Sequence, residues 1–77
     1  MHIIPLCSPT TRRELFRAGA TNTAFAEANN IINENNELGL IPKKVLLKDL
    51  KEAIRLGLDA NKLSRYWKFR KEELISN

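Results

Sequence analysis

Asp49 to Lys68 reads DLKEAIRLGLDANKLSRYWK, and the remainder of the chain can be understood as its packing support. Leu50, Ala53 and Ile54 recur at helical spacing, and Leu63, Tyr66 and Trp67 do so again farther on, which predicts two helices. Between them Gly57 stands where a helix wants a residue tolerant of positive φ, and Asp59 where the next helix wants a cap. The expectation is a helical hairpin bent at Gly57.

Working outward, Pro42 opens the first of these helices at its first turn, where proline sacrifices no hydrogen bond. Val45 and Leu46 begin its apolar stripe, and Lys44, Lys48, Lys51 and Arg55 take the remaining faces. The second helix runs from Ala60 to about Ile75, with Leu63, Tyr66, Trp67 and Leu74 inward. Upstream, T-R-R-E from Thr11 to Glu14 has capping-box spacing. It predicts a helix that turns Leu15 and Phe16 inward and stops near Gly19.

Another helix is expected to start at Asn22 or Thr23, both good caps, with the stripe Phe25, Ala28, Ile31, Ile32 and Leu38, and Gly39 ends it. Six asparagines between positions 22 and 36 make that helix dependent on tertiary contacts, and they are expected to face solvent. Residues 1–10 form an N-terminal arm in which Ile3, Ile4 and Leu6 pack as an extended segment, Pro5 and Pro9 keeping a helix from starting. His2 and Cys7 have no partner for ligation or catalysis. With no internal repeat and no linker, residues 1–77 read as one all-α domain of four helices.

Composition narrows the function classes. A single cysteine excludes an internal disulfide, and 43% hydrophobic with 29% charged residues is ordinary for a folded domain. Positive charge is concentrated late: residues 42–77 hold ten Lys and Arg against five Asp and Glu, while residues 1–41 hold three against four. That asymmetry favours a polyanion partner for the C-terminal half. No apolar run approaches the roughly 18 residues of a membrane span, and the first residues do not read as a signal peptide. The expected location is cytoplasmic and nucleoid-associated, with a reduced thiol and no membrane partner.

No paired carboxylates, Ser/His/Asp set, metal cluster or phosphate-cradling glycine loop is present. Glu72 and Glu73 are neighbours, so on a helix they point about 100° apart and cannot act as a pair. No catalysis, metal, cofactor or small-molecule substrate is expected.

A helix-turn-helix needs a small residue where its helices cross, a turn residue that accepts positive φ, and two apolar residues folded back from the second helix. Ala53, Gly57, Leu63 and Tyr66 fill those places, with Leu50, Leu56 and Leu58 expected to complete the buried side. This Ala-x3-Gly-x5-apolar-x2-apolar pattern is similar to that of phage and bacterial helix-turn-helix regulators. GLDANKLSRYWK looks like the turn and recognition helix of their repressor- and activator-type members. The match covers about twenty of the 77 residues.

The resemblance implies that residues 49–68 form a helix-turn-helix whose second helix, from Ala60, lies in the major groove of duplex DNA. Asn61, Lys62, Ser64, Arg65 and Lys68 would then meet base edges, and Lys43, Lys44, Arg70 and Lys71 would meet phosphates. Such readers usually bind paired half-sites as homodimers, which leaves the N-terminal arm and first helix for the dimer contact. Trp67 and Phe69 belong to the core or to that contact rather than to a stacking platform.

A second resemblance competes. ANKLSRYWKFRKEEL also resembles the wing and following helix of small excisionases with a MerR-like winged helix. It implies a β wing over residues 62–69, with Leu63, Trp67 and Phe69 on one face. Arg65 breaks that face and no Asn-Gly turn closes a hairpin, so this register ranks second. The functional expectation is a duplex-DNA-binding protein of phage or mobile-element type, a transcriptional regulator or recombination accessory factor. The alternative is a non-catalytic helical module that docks on a host protein.

Overall fold

The computed structural model describes residues 9–76, which form four helices: α1 (Pro9–Arg17), α2 (Asn22–Leu38), α3 (Lys43–Arg55) and α4 (Ala60–Ser76). The readings made for Ile3, Ile4, Leu6, His2 and Cys7 lie outside the described residues. Among the described residues there is no strand, so the all-helical reading holds and the wing over 62–69 is overturned. The reason is visible in the burial period. Leu63 and Trp67, four apart, are both buried, while Phe69 is 66% exposed.

Two of the three connections share one design. At the end of α1 the Gly19 N–H donates to Phe16 O (3.0 Å) and the Ala20 N–H to Leu15 O (3.2 Å). At the end of α3 the Gly57 N–H donates to Ile54 O (3.0 Å) and the Leu58 N–H to Ala53 O (3.1 Å). Both are paired caps that satisfy carbonyls a helix end would orphan, and both need a left-handed residue at the glycine. Gly57 has φ +94°, as its place in the sequence required. Two residues on, Thr21 Oγ1 accepts from the Ala24 N–H (3.1 Å), and Asp59 Oδ1 from the Lys62 N–H (2.9 Å). The absence of a repeat in the side-chain pattern therefore hid a repeat in the backbone.

The start of α1 and the cap of α2 differ from expectation, while α2 begins at Asn22 as expected. α1 begins at Pro9, so Thr11 is a buried residue of its first turn and not a cap, and the arm does not reach residue 10. Proline lacks only an N–H that the first turn leaves unpaired anyway. Thr21, rather than Asn22 or Thr23, caps α2.

Leu15 of α1, Ala28, Ile31 and Ile32 of α2, Leu46, Leu50 and Ile54 of α3, and Leu63 and Trp67 of α4 make one core. Three apolar residues expected inside are exposed, Leu38 (48%), Val45 (45%) and Leu56 (81%), and Phe69, expected in the core or in a dimer contact, is not in the core. Leu38 is the last residue of α2, and Leu56 caps α3 at the turn. Val45 lies about 100° around α3 from Leu46, off the buried stripe. Conversely, Asn29 and Asn35 are buried rather than solvated.

The third connection is held by Asn35. Its amide donates to Ile41 O (2.9 Å) and accepts from the Ile41 N–H (3.0 Å), while its carbonyl receives the Gly39 N–H (2.7 Å). One side chain thus closes the loop that returns the chain into α3.

Candidate nucleic-acid interface

α4 is fixed to the body by its inner face. Trp67 Nε1–H donates to Glu34 Oε1 (2.9 Å), and Lys71 Nζ pairs with the other oxygen of the same carboxylate. The caps Thr21 and Asp59 border one cavity, and Glu34, thirteen residues beyond the first, pairs with Lys71, twelve beyond the second, so α2 and α4 run in the same direction. The Lys71 hydrogen bond, then that of Trp67, holds the Glu34 carboxyl below its ordinary value.

Toward α3, the Tyr66 hydroxyl donates to Asp49 Oδ2 (3.3 Å) and Arg70 Nη1 reaches the same oxygen (3.4 Å). Burial, followed by the Asp49 charge, pushes the Tyr66 phenol up. α3 and α4 thus form a hairpin linked by side chains, although the backbone of α4 keeps closer to α2 than to α3.

The outer face of α4 is open. Asn61, Lys62, Ser64, Arg65 and Lys68 are all exposed, opposite buried Leu63 and Trp67. Among the four residues assigned to phosphates, Lys43 and Lys44 are exposed, while Arg70 and Lys71 are half-buried and engaged with Asp49 and Glu34. Lys43 and Lys44 begin α3, about 18 Å along the helix from the turn, so they do not join the N-terminal half of α4.

A shallow notch of about 360 Å³ separates α3 from α4, lined by Asp49, Glu52, Ala53, Leu56, Leu58, Tyr66 and Arg70. The two repeated turns meet over a smaller cavity of about 200 Å³, bordered by Gly19, Thr21, Ile54, Gly57 and Asp59. Among the described residues no group of three or more His, Cys, Asp or Glu is placed to hold a metal ion, and no helix is long and apolar enough to cross a membrane.

The anchors Glu34 and Asp49 were missed by the sequence reading. No local signal pairs Glu34 with Trp67, which lies 33 residues away, and only the fold brings them together. Comparison with protein-family models, curated proteins and solved structures finds no match to this chain.

Proposed function

We propose that this is a small non-catalytic protein that binds duplex DNA, with α3, the Gly57 turn and α4 acting as a helix-turn-helix and α4 entering the major groove. One observation carries the reading: Asn61, Lys62, Ser64, Arg65 and Lys68 share the outward side of a helix whose inner side is anchored by Leu63, Trp67 and the Glu34 clamp. Asn suits adenine, Arg and Lys suit guanine, and Ser suits either base or phosphate. Lys43 and Lys44 remain available to phosphates, whereas Arg70 and Lys71 serve to hold α4 in place. A transcriptional regulator or recombination accessory factor of phage or mobile-element type fits this scale, binding as a homodimer on paired half-sites.

Selection from a random duplex library tests the reading. A recovered consensus that Arg65→Ala relaxes supports it, and a wild-type protein that retains no duplex at low salt removes it. The second reading, a module docking on another protein, has exposed Leu56 and Phe69 in its favour. One stoichiometric protein partner with negligible duplex retention would put it first.

A further inference from the structure

The α1–α3 side of the molecule carries a second field of positive charge that the α4 reading does not use. On α3, Lys48, Lys51 and Arg55 fall on the side opposite buried Leu46 and Leu50. On α1, Arg13 and Arg17, four apart, lie opposite buried Leu15. The two helices are joined by the Lys51–Glu14 ion pair (2.7 Å), which neutralises the carboxylate between them. Arg12 is drawn aside, its guanidinium 5.8 Å from the Phe16 and Phe25 ring centres.

Arg13, Arg17, Lys48 and Arg55 are exposed, and the ion pairs among the described residues engage none of them. The repeated turn adds order to this set. It sets Arg17 and Arg55 each two residues before a capping glycine, at the same end of the molecule, where both turns border one cavity.

This field does not merge with the face of α4. Between them runs the notch with Asp49 and Glu52 and the nearly bare Leu56. A phosphate backbone crossing there would meet the Glu52 carboxylate, bare hydrocarbon and an Asp49 already paired with Arg70, which offers an anion little attraction.

We propose that the α1–α3 face is a second, sequence-independent surface for the sugar–phosphate backbone, so that one molecule bridges two duplex segments. The inference rests on the α4 reading for the first segment. The second is held by charge alone, without base readout, and is released by salt.

The test uses the full chain, an immobilised duplex carrying the selected site, and a fluorescent duplex of unrelated sequence in solution. Wild type captures the second duplex. The combined Lys48→Gln and Arg55→Gln variant, at equal occupancy of the immobilised duplex, captures about tenfold less while keeping its sequence preference. Arg13→Gln with Arg17→Gln acts in the same direction from the other helix. Arg65→Ala behaves oppositely, losing preference while still bridging. A wild type that occupies the immobilised duplex yet captures nothing, or a Lys48→Gln, Arg55→Gln variant that captures as much as wild type, overturns bridging and leaves the α4 reading standing. A wild type that occupies no duplex removes both.

Discussion

Arg65 sits on the outward side of α4, exposed, with Lys62 and Lys68 within one turn on either side. Its replacement by alanine is expected to weaken binding at the preferred site by about 1–3 kcal/mol and leave non-specific binding nearly intact, as read by competition titration. The buried asparagines call for opposite outcomes. Asn35→Ala strands the Ile41 N–H and C=O inside the fold and should lower unfolding free energy by about 1–3 kcal/mol in denaturant titration. Asn29 is equally buried, yet its Oδ1 has no hydrogen-bond partner, so Asn29→Leu should raise stability by about 1 kcal/mol or more. Arg65 was legible in the sequence because exposure follows from its spacing to Leu63 and Trp67. Asn35 was not, because its partner, six residues on, comes into reach only after the chain has reversed at Gly39.

Among the elements, the α3–α4 turn is the most exacting. A Cβ at Gly57 would meet nothing within 4 Å, so Gly57→Ala carries only the strain of a left-handed backbone. The expected loss is about 1–2 kcal/mol in denaturant titration, without a change in the fold. Helix ends marked by glycine were readable because few residues tolerate positive φ. The start of α1 and the cap of α2 were misplaced because Thr11, Asn22 and Thr23 offer capping chemistry as good as that of Thr21, and the choice rests on which register buries Leu15, Ala24 and Ala28. Leu56 deceived for a related reason: its hydrophobicity suited the core, but its position as the α3 cap turns it outward.

At the scale of the whole molecule, the polar links between α2 and α4 converge on one carboxylate, beside the shared core. Because the Glu34 value is depressed in the fold, its stabilisation is fully present above the ordinary value of 4.5 and is lost as pH falls through the depressed one. The midpoint of thermal unfolding should fall across that acid window in wild type and fall less in Glu34→Gln. At alkaline pH the sign reverses in effect: Tyr66, pushed up, withdraws stability as pH rises past 10.0. Four helices and one core could be foreseen from periodicity, but the shared direction of α2 and α4 could not, since it is fixed by contacts more than thirty residues apart. What the assembled molecule offers a partner is a helix face with three free cations. The most direct measurement is equilibrium binding of the full chain to a duplex at two salt concentrations about fourfold apart. With those three cations each neutralising a phosphate, affinity should fall by roughly 40-fold between them. Binding that is absent at the lower salt, or unchanged across the interval, would contradict the account.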